Sequence, residues 1–384
     1  MLLTSLSLLL VSPTPIRLAP LAPVEVGPMP TRPVLVDMDA DGDLDVVLAC
    51  GPCCGRDPDP RSGHLQVLYN DGAGVLSPRR SPIKLLDSAL GVAVGDINND
   101  GRPDAVAYHH ASYEAGVLLG DAEGGLGRPA YFTLHPGASA HVHSLVLADV
   151  NHDGNLDALA TLVDDHALSV HLGDGAGRFA PALAQPYFAH RHPYAQLNVL
   201  DLNHDTHPDV LLTDVRGNGL TILHGSGTGM FASSRGFSLE AHTPVTGAER
   251  PMAAAVGDVD NDADPDAILA IEEAALAVLM LNDGTGEFVE TGAPLELAAP
   301  TTGVTLADLN NDGALDLISD GTAGGAFGYR LGLGDGRFAP PQGVDSLGED
   351  PSVGVGDMNA DGRPDIVVAN YDSGTVVVLL NQAD

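Results

Sequence analysis

A nine-residue pattern, Asp-x-(Asp/Asn)-x-Asp-Gly-x-x-Asp with two departures at the glycine, returns seven times along this chain, each time followed by an apolar run. The copies are DMDADGDLD from Asp37, DINNDGRPD from Asp96, DVNHDGNLD from Asp149, DLNHDTHPD from Asp201, DVDNDADPD from Asp258, DLNNDGALD from Asp308 and DMNADGRPD from Asp357. Successive copies start 59, 53, 52, 57, 50 and 49 residues apart. Such a period marks a repeat architecture, whose units cannot bury their apolar faces alone and must stack on one another. The repeat runs through nearly all of the 384 residues, which argues for one domain rather than two or three.

The last repeat shows what one unit folds into. Ser352 to Gly356 reads as a short strand leading into the loop. Ile366-Val-Val-Ala369 follows as a continuous apolar strand, buried on both faces. Asn370-Tyr-Asp-Ser-Gly374 is turn chemistry, and Val376 to Leu380 is a third strand. Other copies continue with a glycine-rich turn and an aromatic, as in GDGAGRFAP at 173–181 and NDGTGEF at 282–288, then a more polar fourth strand. Four short antiparallel strands per unit, with no long segment of 3.6 period, predict the blade of a β-propeller. The fold class is therefore all-β, a propeller of seven four-stranded blades. The last unit stops before its fourth strand, while an extended stretch from about Pro15 to Val26 precedes the first unit. That stretch is expected to pair as the outer strand of the last blade and so close the ring.

Within each loop, carboxylates at positions 1, 3, 5 and 9, a main-chain carbonyl at position 7 and water can surround a hard cation with six or seven oxygens. Calcium prefers such a shell, whereas magnesium demands a stricter octahedron and more water. Glycine at position 6 permits the positive φ that folds the chain back. An EF-hand would have a bidentate glutamate at position 12 and helical flanks; here position 12 is apolar, apart from Ser319, and the flanks are strands. Metal-free Asx-turn hairpins are the competing reading.

With its loops and G-x-G-x-F turns, the chain resembles the FG-GAP/VCBS repeat propellers, whose blades include those of the integrin α-subunit head. The resemblance implies calcium in the hairpin between the first and second strands of each blade, at up to seven sites. Carried onto this sequence, the ligands are Asp37, Asp39, Asp41 and Asp45; Asp96, Asn98, Asp100 and Asp104; Asp149, Asn151, Asp153 and Asp157; and Asp201, Asn203, Asp205 and Asp209. The remaining three sets are Asp258, Asp260, Asp262 and Asp266; Asp308, Asn310, Asp312 and Asp316; and Asp357, Asn359, Asp361 and Asp365. Thr206 and Ala263 stand where the pattern has glycine. The fourth site is the doubtful one, because a β-branched residue suffers most from a positive φ. Asp260 adds a ligand acid that partly offsets Ala263.

Composition narrows the partners. The net charge is −35 and Lys84 is the only lysine, which excludes nucleic acid and anionic membrane surfaces. The seven loops hold 25 of the 52 acidic residues, so the acidity is concentrated where a cation would sit. Residues 2–11 form an apolar run of signal-peptide length, too short to span a bilayer. The expected organisation is a signal peptide over 1–12 and one propeller over 13–384, secreted or periplasmic, without a membrane span and monomeric. Cys50, Cys53 and Cys54 lie in one loop, where an exported protein could close one disulfide and leave a thiol over; a zinc site there would need His64 as fourth ligand.

In propellers of this family the metal hairpins share one rim, and the loops between second and third strands lie on the other. That arrangement gives the opposite rim an uneven population. Blades 2–4 contribute His109, His110, Tyr113, Glu114, His141, His143, Asp164, Asp165, His166, His190, His192 and Tyr194. Other blades add only Glu272 and Glu273 in blade 5, and Tyr371 and Asp372 in blade 7. The readings of these histidines are solvated loop residues, a protein or carbohydrate contact surface, and a transition-metal or catalytic site. No G-x-S-x-G, H-E-x-x-H or G-x-x-x-x-G-K-[ST] motif occurs, and the chain has no tryptophan for sugar stacking. The expectation is a non-enzymatic binding or adhesion scaffold for a protein or carbohydrate ligand. The competing class is an extracellular polysaccharide lyase or hydrolase using the same rim.

Overall fold

The computed structural model describes residues 16–51, 63–86, 89–110, 112–135, 141–183, 186–189, 193, 196–216, 219–232, 235–239, 251–271, 274–321 and 325–382. Residues 1–12, expected to be a signal peptide, and Cys53, Cys54, His190, His192, Tyr194, Glu272 and Glu273 lie outside them.

These residues form seven antiparallel sheets, the blades of a propeller, and no helix. Blade 2 shows the plan: Ala89–Gly95, Asp104–His109, Glu114–Leu118 and Ala130–Thr133 follow one another across the sheet as a meander. The acidic loop joins first to second strand in every blade. Second strands such as Asp45–Cys50, Asp157–Leu162 and Asp365–Asn370 are buried at every residue. Their apolar runs lack polar alternation because each sheet is covered on both faces.

The core is not a single interior. Buried apolar side chains of the described residues form seven clusters, one between each pair of adjacent blades. Strand pleat distributes them: Val46, Leu48 and Cys50 face blade 7, while Val47 and Ala49 face blade 2. The turn aromatics reach back one blade. Phe231 of blade 4 packs in the cluster it shares with blade 3, and Phe288 and Phe338 do the same one and two blades further on.

The ring closes as the ends of the sequence predict. Arg17–Pro20 pairs antiparallel with Thr375–Gln382, Arg17 opposite Gln382 and Pro20 opposite Leu379. Val24–Glu25 pairs further along the same strand, with Val24 opposite Val376. Fourth strands depart from the single polar strand expected. In blades 3, 5 and 7 the outer strand is two short pieces on one partner: Phe179–Pro181 with Tyr187–Phe188, Phe288–Glu290 with Leu295–Glu296, and Arg17–Pro20 with Val24–Glu25. Prolines punctuate each break (Pro181 and Pro186, Pro294, Pro20 and Pro23), since a proline has no N–H for the ladder.

Candidate functional site

The acidic loops lie side by side around one rim, and fourth positions tie four neighbouring pairs of them together. Asn99 Nδ2 donates to Asn155 Oδ1 of the next loop at 2.7 Å. His152 Nε2 lies 3.2 Å from His207 Nδ1, and His204 Nε2 lies 2.6 Å from Asp264 Oδ1. Asn311 Nδ2 donates to the Gly362 carbonyl at 2.7 Å. In these pairs position 4 of one loop reaches position 6 or 7 of its neighbour.

Inside each loop the position 1 aspartate is already a turn-former. Asp96 accepts from the N–H groups of Asp100 (3.0 Å) and Gly101 (2.8 Å), and Asp308 from those of Asp312 (3.0 Å) and Gly313 (2.8 Å). Position 6 takes the left-handed conformation, with φ +97° at Gly42. An added Cβ at Gly42 would meet nothing within 4 Å, so glycine is there for its backbone alone. Thr206 and Ala263 adopt the same conformation at φ 72° and 77°, and each still donates its N–H to the position 1 aspartate. Position 4 is also left-handed in every loop, from Ala40 at 59° to Ala360 at 55°. Sequence reasoning missed this, although Asn or His, both enriched in the left-handed region, stands at five of the seven positions.

Position 9 has a second task that its place in the pattern does not reveal. All seven of these aspartates are fully buried. Each uses one oxygen for the N–H of position 2 and the other for an N–H at the end of the third strand. Asp45 accepts from Met38 at 3.0 Å and Asn70 at 2.8 Å; Asp316 accepts from Leu309 at 2.8 Å and Gly332 at 2.7 Å. Burial raises these carboxyls against the pull of those hydrogen bonds, and neighbouring loop aspartates add to the rise in all but Asp209, which His224 pulls down instead. Asp45 and Asp266 are pushed up to about 6 and Asp316 to about 7. A cation among these acids would act in the opposite sense.

The donor set fits calcium. Ligand oxygens of Asp37, Asp39 and Asp41 lie within 4.8 Å of one another, as do those of Asp258, Asp260 and Asp262. Asp39 Oδ1 and Asp260 Oδ1 are buried without a hydrogen-bond partner, an arrangement that a cation would resolve. The other five loops have asparagine at position 3. In four of them its amide donates to the position 5 carboxylate, as Asn310 does to Asp312 at 2.9 Å. The fourth loop differs: Asn203 Nδ2 lies 3.3 Å from His224 Nδ1, which is also 3.4 Å from Asp209 Oδ1.

The opposite rim surrounds the mouth of a central cavity of about 530 Å³, lined by residues of all seven blades. Arg32 and Asp320 pair across it at 2.5 Å. Three of the predicted histidines meet here. His141 Nε2 lies 2.9 Å from His110 Nε2 and 2.6 Å from His143 Nε2, and His143 also lines the cavity. Asp164 Oδ1 stands 3.5 Å from His141 Nδ1. The others are placed apart from this group. Tyr113 donates its hydroxyl to Asp165 and is buried. His109 is fully buried with its ring 6.0 Å from that of Tyr131, and His166 sits in a turn at φ 53°. Glu114 starts a third strand, and Tyr371 and Asp372 occupy the turn of blade 7. Cys50 is a buried thiol pushed up to about 12 by burial, and His64 Nε2 lies 3.1 Å from the Val26 carbonyl oxygen.

A seven-bladed propeller with an acidic hairpin in every blade defines a class of acidic-loop repeat scaffolds. Within it, the FG-GAP-like repeat model matches residues 30–107, 149–212 and 201–269, and the FG-GAP repeat model matches 351–379. The chain belongs to the FG-GAP repeat family. No curated protein matches it. Among solved structures, BBS1N in complex with ARL6DN is similar at TM-score 0.65 and 11% identity, covering 95% of this chain and 97% of that one. Virginiamycin B lyase from Staphylococcus aureus gives 0.60 and 13%, covering 95% and 99%. An Agrocybe aegerita lectin that recognises non-reducing terminal N-acetylglucosamine gives 0.56 and 18%, covering 90% and 87%. At these identities the likeness is one of fold.

Proposed function

We propose that this protein is an extracellular, calcium-loaded propeller that binds a glycan or protein ligand on the rim opposite its acidic loops and does no chemistry on it. The observation that carries the reading is the contrast between the two rims. One repeats the same acidic hairpin in all seven blades, whereas the other varies from blade to blade around an open cavity. Repetition suits a structural ion; variation suits recognition. Calcium would be held by positions 1, 3, 5 and 9 and would supply cross-links between the two strands of each hairpin. Loops of this kind have affinities matched to the millimolar calcium found outside cells, which agrees with an apolar run at 2–11 acting as an export signal. The lectin and the BBS1N complex supply precedents for glycan and protein binding on this fold.

A glycan array probed in about 1 mM calcium, the working range of such sites, tests the glycan arm. Binding to a defined glycan, lost in EGTA and restored by calcium, is the expected result. Release of unsaturated or shortened products from polyuronates would overturn the non-enzymatic reading, and an intracellular location of the native protein would overturn export.

A further inference from the structure

We infer that His110, His141 and His143 form a transition-metal site, separate from the calcium loops, that takes a divalent ion of the zinc class on three imidazole nitrogens. The three ring nitrogens are the same atom of each residue, Nε2, and all lie within 4.8 Å of one another. His141 Nε2 faces both of the others, at 2.9 and 2.6 Å. A neutral imidazole nitrogen either carries one proton or accepts, so three such atoms cannot all satisfy one another. A cation among them gives all three the same role. At a zinc–nitrogen length of about 2.0–2.1 Å, tetrahedral ligands stand ~3.4 Å apart. Small side-chain rotations reach that spacing from the distances seen.

The surroundings fit as well. Asp164 Oδ1 stands 3.5 Å from His141 Nδ1, on the far side of the ring from the cluster. That is the position of a carboxylate that fixes the tautomer and orientation of a metal-bound histidine. The backbone explains why the three meet. His110 follows the second strand of blade 2, while His141 and His143 flank Val142 at the start of the first strand of blade 3. These two strands are contiguous in the ring, with Val106 and Val142 in one packing cluster. All three rings are half-buried, and His143 reaches the wall of the central cavity. Water or a ligand group can therefore approach from the cavity and complete the shell, the open arrangement of three-histidine zinc sites. Imidazole donors discriminate the site from the all-oxygen loops on the other rim, which favour calcium.

The test uses the full chain without a histidine tag, kept in millimolar calcium so that the loops are loaded. Zinc and cobalt are the probes, read by competition with a chromophoric chelator, by metal analysis after dialysis, and by the cobalt visible spectrum. One zinc per chain is expected, with a cobalt spectrum of tetrahedral intensity. His141→Ala and His143→Ala should each weaken zinc by at least about 100-fold, and Asp164→Asn by about 10- to 100-fold, as an orienting carboxylate does. A double variant of the other histidine pair, His152→Ala with His207→Ala, should leave zinc binding unchanged. Circular dichroism and a cooperative melt that still responds to calcium establish that each variant is folded; if the alanine variants unfold, His143→Gln carries the same expectation. The proposal is overturned if folded wild type holds no zinc at micromolar concentration, or if the His141 and His143 variants bind it as wild type does. It is equally overturned if the His152/His207 variant is the one that loses the metal.

Discussion

Position 6 of the loops shows how much a single backbone angle asks of a residue. Five loops use glycine there, and a Cβ added to Gly42, Gly101, Gly154, Gly313 or Gly362 meets nothing within 4 Å. Any penalty for a side chain is therefore conformational and not steric crowding from neighbours. Gly42→Ala should destabilise the protein by about 1–2 kcal/mol, the strain of a left-handed residue with a Cβ. Thr206, held at φ 72°, offers the reverse experiment. Thr206→Gly should stabilise by about 0.5–1 kcal/mol, because relief of that strain exceeds the added backbone entropy of the unfolded chain. Urea unfolding of both variants in saturating calcium checks the pair; a stabilised Gly42→Ala or a destabilised Thr206→Gly would contradict the account. The same loop has His224 beside Asn203 and Asp209; arginines compete likewise for Asp39, Asp100 and Asp361 in loops 1, 2 and 7, so the strained β-branched turn is what sets the fourth loop apart. It should be the first to empty. Calcium occupancies in crystals grown at limiting calcium measure this directly, and equal occupancy across the seven loops would remove the distinction.

Each hairpin is held by its position 9 aspartate as much as by any ion. Both carboxylate oxygens accept main-chain N–H groups, one from position 2 and one from the end of the third strand, so this residue fastens three strands of a blade at one rim. Asparagine cannot replace it, since its amide nitrogen would meet either the Leu309 or the Gly332 N–H in blade 6. Asp316→Asn should lower stability by about 1–3 kcal/mol, the range for a buried hydrogen-bonding group left unsatisfied. The loss should persist in EGTA, which separates this staple from a ligand whose only partner is calcium; chemical denaturation with and without chelator is the measurement. What the sequence disclosed at this scale follows the range of each interaction. The hairpin was legible because its acids and glycine lie within nine residues. The staple was not, because Asp316 finds Gly332 only once the third strand has returned. Position 4 was hidden for a different reason: Asn and His favour the left-handed conformation at five loops, but Ala40 and Ala360 adopt it without such a preference and break the pattern. The histidines of blades 2 and 3 were legible as residues of one rim, but the convergence of His110, His141 and His143 needed the register of two neighbouring blades.

At the scale of the whole molecule, two closures should govern stability. The first is the strand exchange at the ends, where Arg17–Pro20 and Val24–Glu25 cover the edge of Thr375–Gln382. A chain lacking residues 1–26 exposes that edge and removes Val26 from the cluster between blades 7 and 1; a chain lacking 1–12 keeps both. The longer deletion should aggregate through the uncovered strand while the shorter stays soluble; light scattering distinguishes them, and equal behaviour would mean that the N-terminal strand does not hold the ring. The second closure is the ring of loops. Four neighbouring pairs of loops are joined by position 4 contacts, and the turns of blades 1, 4, 5, 6 and 7 reach the position 2 carbonyl of the preceding blade's loop, as Asn282 Nδ2 does to Leu202 at 2.8 Å and Asn381 Nδ2 to Leu309 at 2.7 Å. An ion that rigidifies one hairpin thus acts on the next blade as well. If the loops bind calcium with dissociation constants of about 0.1–1 mM, about 1 mM calcium would contribute roughly 0.4–1.4 kcal/mol at each site. Over seven such loops the total is about 3–10 kcal/mol, comparable with the net stability of a domain. Without cations, the acids of each loop repel one another and their buried partners are forced toward the protonated state. Calorimetric melts should therefore move to markedly lower temperature in EGTA and return on adding calcium, as one transition because the loops are mechanically joined. An EGTA melt that coincides with the calcium melt would show that hydrogen bonds alone, and not calcium, hold this rim.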